Sequence, residues 1–196
     1  MTEIDIQTEE NLRQVFKKFN PYMVWLWRLG FRRWINSWPG VGGRIMVITH
    51  TGRKSGLRRQ TPLNYAIVDG ELYCTAGFGS QSDWYRNILA HPQVEVWLPD
   101  GWWAGLAEDA SQDARRLALL RQVIIASGVV APLMGINPHR LSDDEFARVM
   151  DGYQLIHIRR TTRLSGSGGP GDLAWIWAPV LLAALLLLFA RRRLRK

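Results

Sequence analysis

The segment Ile45–Leu63 constrains the fold most, because two apolar runs there flank a short turn bounded by glycines. The first run covers residues 45–51 and is rich in β-branched side chains, and the second begins at Pro62 and continues to Val68. Two such runs around a short glycine-bounded loop predict a β-hairpin. The tip of this hairpin carries four cations within seven residues, namely Arg53, Lys54, Arg58 and Arg59.

The turn at the hairpin tip has the composition of an anion-binding site. Gly52 and Gly56 allow positive φ angles and a close approach of a ligand to the backbone. We expect main-chain N–H groups that point outward from this turn, together with its Arg and Lys side chains, to bind a phosphate or a carboxylate. A basic turn that is merely solvated is the alternative interpretation. A Walker A loop is excluded, because Arg53 rather than glycine precedes Lys54.

Alternation of apolar and polar residues predicts further strands after the hairpin. These strands are 71–76, 94–98, 102–108 and 153–159. The chain between them shows helical spacing or capping signals at 83–90, 111–126 and 142–150. Six strands joined by hairpin turns and interposed helices favour a small antiparallel barrel, a mostly β fold with helices.

The N-terminal region predicts two amphipathic helices. The first begins at Glu9, with Thr8 as its cap, and the Asn20-Pro21 pair ends it. The second covers Pro21–Ser37 and mixes aromatic residues with arginines, which suits a helix that lies at a membrane interface. Packing of its aromatic side chains onto the barrel core is the alternative.

The C-terminal region predicts a membrane-spanning helix. Residues 173–190 contain no charge and would extend about 27 Å as a helix, enough for a hydrocarbon core. Trp175 and Trp177 would anchor one interface and the basic tail the other. The expected organisation is N-terminal helices (1–40), a barrel domain (41–164) with a helical insertion (111–150), a Gly/Ser linker (165–172), the transmembrane helix (173–190) and the tail (191–196).

Charge argues against a nucleic-acid partner. The net charge is +8, but five of the positive charges lie in residues 191–196, so the remainder carries only +3. That excess is too small for a nucleic-acid footprint. The single cysteine, Cys74, suits a reducing compartment, and no apolar signal-peptide region follows the first residues. The four histidines are too scattered in the sequence to predict a metal site.

Several spaced motifs resemble the deazaflavin-dependent nitroreductase and quinone reductase family. They are Thr51–Gly56 (TGRKSG), Arg59, Pro62-Leu63, 83–87 (DWYRN) and 92–96 (PQVEV). The similarity covers residues 45–106, with 153–158 as the closing strand. It implies the fold of the flavin-binding enzymes, a split β-barrel of six antiparallel strands.

The resemblance also implies a binding site for coenzyme F-420, a deazaflavin with a phosphate and an oligoglutamate tail. The residues expected to take the phosphate and the tail are Gly52, Arg53, Lys54, Ser55, Gly56 and Arg59. Pro62 and Leu63 would lie against the ring system. The residues expected to approach the deazaflavin, or to support the loop that does, are Gly77, Phe78, Gly79, Trp84 and Asn87. No catalytic side chain is assigned, because the cofactor carries the chemistry.

The expected activity is hydride transfer from the reduced deazaflavin to an apolar electrophile such as a quinone or a nitro compound. A membrane quinone would suit an anchored enzyme, and the helix at 21–37 could form one wall of its access route. We expect a single-pass membrane protein whose barrel is cytoplasmic, because the cofactor is intracellular. The positive-inside rule favours the alternative orientation, with the basic tail in the cytoplasm and the barrel outside. The alternatives are an FMN-dependent reductase of the same fold and a non-enzymatic, membrane-tethered module that binds a lipid or an isoprenoid.

Overall fold

The computed structural model describes residues 3–193 of the 196-residue chain. Its strands are β1 (Ile45–Thr51), β2 (Arg58–Val68), β3 (Glu71–Ala76), β4 (Gln93–Leu98), β5 (Gly101–Asp109) and β6 (Gln154–Leu164). Its helices are α1 (Glu3–Arg28), α2 (Arg32–Ile35), α3 (Pro39–Gly42), α4 (Asp83–Ala90), α5 (Arg116–Ala126), α6 (Val130–Leu133), α7 (Asp143–Val149) and α8 (Trp177–Arg193).

The six strands form a closed antiparallel barrel in the order β1-β2-β3-β6-β5-β4. The predicted hairpin is confirmed, with Val47 opposite Pro62 and His50 opposite Arg59. Closure comes from β1 pairing with β4 and from β6 pairing with both β3 and β5. The barrel leaves no open edge, and alternate side chains of its strands fill the interior. The hairpin tip therefore projects from one end of a rigid scaffold.

Helix α1 corrects the prediction for the N-terminal region. The helix runs through Pro21 without the break expected there and ends at Arg28. Met23 and Trp27 are buried against Val47 and Trp97 of the barrel, and the rings of the two tryptophans lie 6.4 Å apart. Burial of large side chains on this scale offsets the hydrogen bond that a proline removes from a helix.

The helical insertion covers one outer face of the barrel. Helices α5 and α7 and the segment between them form a buried cluster with Ala66 of β2, Tyr73 of β3 and Leu155 of β6. The predicted capping box of α7 is confirmed, since Ser142 and Glu145 exchange side-chain and main-chain hydrogen bonds. The insertion is thus packed as part of the barrel domain.

The C-terminal region also differs from the prediction. Helix α8 begins at Trp177 rather than at Leu173, and residues 174–176 form a 3₁₀ turn. The N–H of Leu173 donates to the Arg28 carbonyl, and the Trp177 indole donates to the Leu29 carbonyl. These contacts tie the start of the expected span to the end of α1. Among the helices of residues 3–193, none has both the length and the apolarity needed to cross a membrane.

The packing of α1 can be tested through Trp27, which is fully buried. We expect Trp27→Ala to lower the free energy of unfolding by about 3–5 kcal/mol, because it removes a large side chain and leaves a cavity. Trp34→Ala is the control, since Trp34 is 70% exposed and should change stability by less than about 0.5 kcal/mol. Urea denaturation measures both, and equal effects would show that α1 does not dock on the barrel as described.

Candidate functional site

A cavity of about 990 Å³ lies between the hairpin tip, the barrel wall and helices α1, α5 and α6. This volume is at the upper end of the range for sites that enclose a small molecule or cofactor. All the predicted site residues line the cavity except Gly56 and Gly79. The structure therefore brings together segments that are separated by more than thirty residues in the sequence.

The four cations of the hairpin divide into two pairs. The guanidinium of Arg53 lies 3.0 Å from Asp83, and that of Arg58 lies 2.7 Å from Glu95. Lys54 and Arg59 line the cavity and form no ion pair with any residue in the described range 3–193. Two uncompensated positive charges therefore border one end of the cavity.

The expected cluster of outward-pointing main-chain N–H groups is not formed. The N–H of Gly52 donates to the Leu57 carbonyl, and those of Ser55 and Gly56 both donate to the Gly52 carbonyl. Of the two glycines for which the sequence allows a positive φ, Gly56 has one, at +66°, and Gly52 does not. Positive potential at this end of the cavity must come chiefly from the side chains of the tip.

Asn87 holds the hairpin tip against helix α4. Its side-chain oxygen accepts hydrogen bonds from the main-chain N–H of Arg53, at 3.1 Å, and from the Arg53 guanidinium, at 2.9 Å. The resemblance placed Asn87 in support of the loop 77–79, but its side chain contacts the tip instead. Asn87 is 3% exposed, so this contact is shielded from water.

His50 is a buried member of the site that sequence reasoning missed. It is 3% exposed and lines the cavity, with one ring nitrogen 3.2 Å from the Asn87 amide nitrogen. The other ring nitrogen lies 3.1 Å from the Thr61 hydroxyl. Burial, with the nearby charge of Arg59, lowers the pKa of His50 from 6.5 to about 4. The imidazole is therefore neutral at physiological pH. The feature of the sequence that could have indicated a role for His50 is its position directly before the TGRKSG motif.

The other end of the cavity is largely apolar. Pro62 and Leu63 continue the barrel wall from the tip, and Phe78 and Trp84 lie near them. Helices α1, α5 and α6 and the loop after α6 add further apolar lining, through Val24, Trp25, Val123, Ile124, Val130, Ala131, Met134 and Ile136. Val24 and Trp25 of the N-terminal aromatic segment therefore line the cavity, and both belong to α1.

Gly77 lines the cavity close to Tyr153. A Cβ at Gly77 would lie 3.2 Å from the Tyr153 ring, so a side chain there would crowd that ring. Gly79 has a φ of +53°, and a Cβ there would lie 2.5 Å from the Gly152 carbonyl oxygen. Backbone conformation and close packing therefore require glycine at this position, although it does not line the cavity. The loop 77–79 is thus shaped by its packing on the chain before β6.

The cavity as a whole suits an elongated ligand with an anionic end and a flat apolar part. Lys54 and Arg59 can form charge-assisted hydrogen bonds with phosphate or carboxylate oxygens. The apolar walls can cover an aromatic ring system and exclude water from it. A deazaflavin with an anionic tail fits this division, because the charged and apolar surfaces occur in one continuous cavity.

One family model and several solved structures are similar to this chain. The sequence profile of the family described as F420H(2)-dependent quinone reductase matches residues 32–129. A solved F420-H2 dependent reductase shares 22% identity, with a TM-score of 0.42 over 59% of this chain and 94% of that one. A protein of unknown function from Agrobacterium tumefaciens shares 22% identity, with a TM-score of 0.44 over 67% and 55%. A conserved hypothetical protein from Mycobacterium tuberculosis shares 18%, with a TM-score of 0.41 over 64% and 85%.

The lowered pKa of His50 predicts a pH dependence of stability. Between pH 6.5 and pH 4 the unfolded chain binds a proton at His50 that the folded protein does not. The free energy of unfolding should therefore fall as the pH is lowered through this window, by at most about 1.4 kcal/mol per pH unit from this group.

The variant His50→Gln removes this contribution, because glutamine does not titrate. Urea denaturation at several pH values measures the difference in slope between the two proteins. Parallel pH profiles for the wild type and the variant would show that His50 titrates alike in the folded and unfolded chains.

Proposed function

Since the chain belongs to the F420H(2)-dependent quinone reductase family, we propose that its cavity binds coenzyme F-420 and that it reduces an apolar electrophile of the quinone class. The single observation that supports the proposal most is the pair of uncompensated cations, Lys54 and Arg59, in a cavity that is also lined by many apolar side chains. An apolar cavity alone would suit many ligands. Two unpaired cations in the cavity favour a ligand with an anionic group.

The side chains at the cationic end have separate roles in this proposal. Lys54 and Arg59 bind the phosphate and the carboxylates of the tail. Arg53 does not serve as a further free charge, because its guanidinium already contacts Asp83 and Asn87. Arg53 instead fixes the conformation of the hairpin tip, so that Lys54 and Arg59 are already positioned in the ligand-free protein. This preorganisation lowers the entropy lost on binding.

The apolar end positions the two reactants. The reduced deazaflavin supplies a hydride, and the protein must hold an acceptor against its ring and keep water out. Leu63 and Phe78 line the apolar part of the cavity together with residues of α1 and α5. A quinone or a nitroaromatic compound is flat and apolar enough to occupy this space. The chain uses these walls to orient the acceptor.

Binding of the cofactor can be tested at the two cations. We expect the double variant Lys54→Ala, Arg59→Ala to weaken binding of coenzyme F-420 by about 2–5 kcal/mol, because two charge-assisted contacts are lost. Fluorescence titration measures the dissociation constant. Arg58→Ala is the matched control, since Arg58 is adjacent in sequence but pairs with Glu95 and does not line the cavity. Equal affinities for the double variant and the control would rule out the cationic end as the tail site.

The proposal also includes attachment of the chain to a lipid bilayer. The leucines of α8 are exposed in adjacent positions around the helix, with Leu181, Leu182, Leu185, Leu186, Leu187 and Leu188 each between 52% and 66% exposed. A helix that is apolar on every side is stable in an apolar medium. Such a helix is poorly suited to water, and these six leucines remain exposed in the part of the chain that the structure describes. We place the barrel on the cytoplasmic side, where the cofactor is available.

Tryptophans from both ends of the chain support this attachment. Trp34 and Trp177 flank the Phe31 ring, with centroids 6.3 Å and 5.5 Å from it. Arg28 holds this region together through a 2.7 Å ion pair with Asp172. Tryptophan favours the interface of a bilayer, where its ring is buried and its indole N–H is hydrated. The base of α8 therefore has the composition of a headgroup-level anchor.

Flotation with vesicles tests the bilayer as partner. We expect the wild type to float with vesicles that contain phosphatidylglycerol, and Leu182→Asn with Leu186→Asn to reduce the bound fraction severalfold by placing polar groups on α8. The control is Leu133→Asn, because Leu133 is 81% exposed but lies on α6. A bound fraction that is the same for both variants and the wild type would show that α8 does not enter the bilayer.

A further inference from the structure

A chain of hydrogen bonds connects the hairpin tip to the cavity wall. It runs from Arg53 through Asn87 and His50 to Thr61. The first two members are tied to the cationic end, and the last lies on β2 between that end and the apolar wall at Pro62. The direction of each hydrogen bond in this chain can be deduced from its members' chemistry.

The orientation of the Asn87 amide is set by Arg53. Two N–H groups of Arg53, from the main chain and from the guanidinium, point at the same Asn87 atom. Both are donors, so that atom must be the amide oxygen. The NH₂ group of Asn87 then faces His50, and it can only donate.

The tautomer of His50 follows from this orientation. Because Asn87 donates to Nδ1 at 3.2 Å, that nitrogen must carry a lone pair rather than a proton. In a neutral ring the proton is then on Nε2, which donates to the Thr61 hydroxyl oxygen at 3.1 Å. The lowered pKa of His50 agrees with a neutral ring.

The hydroxyl of Thr61 receives this hydrogen bond and has a proton of its own to donate. Within residues 3–193 the structure shows no other hydrogen-bond partner for this hydroxyl. Thr61 lines the cavity, and a hydroxyl that already accepts one hydrogen bond is polarised toward donating another. The side chain therefore offers a donor to whatever occupies the cavity beside it.

We propose that Thr61 is a cofactor-binding residue that donates to an acceptor oxygen of the bound deazaflavin, and that His50 is the positioning residue that fixes the direction of this hydroxyl. This inference rests on the proposed function. Thr61 lies between the two predicted subsites, beside Arg59 and directly before Pro62. The acceptor is therefore an oxygen of the ring carbonyls or of the phosphate, and both have the same hydrogen-bond chemistry.

The test is the affinity for oxidised coenzyme F-420. Thr61→Val keeps the shape but removes the hydroxyl, and we expect it to raise the dissociation constant about 5- to 10-fold, as for one lost hydrogen bond. Thr61→Ser restores the hydroxyl and should remain within about twofold of the wild type. Thr161→Val makes the same chemical change on β6 at an exposed position outside the cavity, and it should have no effect.

The role of His50 is tested by combining variants. If His50 acts through Thr61, the single substitution His50→Phe should weaken cofactor binding. The same substitution should cause no further loss of affinity when it is added to Thr61→Val. A further loss in the double variant would overturn the positioning role. Nitrogen NMR of the ligand-free protein provides a readout that needs no substitution. It should show the Nε2–H tautomer at neutral pH, and the Nδ1–H tautomer would contradict the hydrogen-bond direction deduced above.

The same deazaflavin without its phosphate and glutamate tail distinguishes the two acceptor oxygens. A loss of affinity in Thr61→Val that persists with this compound assigns the acceptor to the ring, and a loss confined to the complete cofactor assigns it to the phosphate. Wild-type affinity in a folded Thr61→Val overturns this inference but leaves the proposed function standing. Failure of the wild type to bind coenzyme F-420 would overturn both.

Discussion

Two positive charges border the cavity without a carboxylate partner in the described chain. The proposed site depends on these two charges remaining unpaired until a ligand binds. Lys54 and Arg59 lie on a hairpin that also carries Arg53 and Arg58, each of which is neutralised by an acidic residue. Like charges so close together repel each other, and pairing two of them lowers that cost. The uncompensated pair is then available to a ligand, and an anionic ligand stabilises the folded protein by binding it.

The barrel makes this arrangement rigid. Closure of the six strands fixes β1 and β2 on both sides, and α4 holds the tip between them through Asn87. The apolar walls come from elements that pack outside the barrel, since α1 is held by Trp27 and the insertion by its own buried cluster. Charge is thus supplied by a local hairpin, whereas the shape of the cavity depends on contacts between distant parts of the chain.

This division explains what the sequence could predict. Local patterns predicted the six strands, helix α4 and the capping box at Ser142, because strand alternation and capping depend on neighbouring residues. Most predicted site residues line one cavity, because the motif that suggested them is itself local. The sequence did not predict the continuation of α1 through Pro21 or the start of α8 at Trp177. Both depend on tertiary contacts, as does the hydrogen-bond chain through His50, which no spacing rule indicates.

The proposed function requires that the cavity selects a deazaflavin with an anionic tail. Calorimetric titration of the detergent-solubilised protein with oxidised coenzyme F-420 and, separately, with FMN measures this selectivity. We expect one molecule of coenzyme F-420 bound per chain, an affinity that weakens as salt screens the two cations, and much weaker binding of FMN. Binding of FMN alone, or of neither compound, would contradict it.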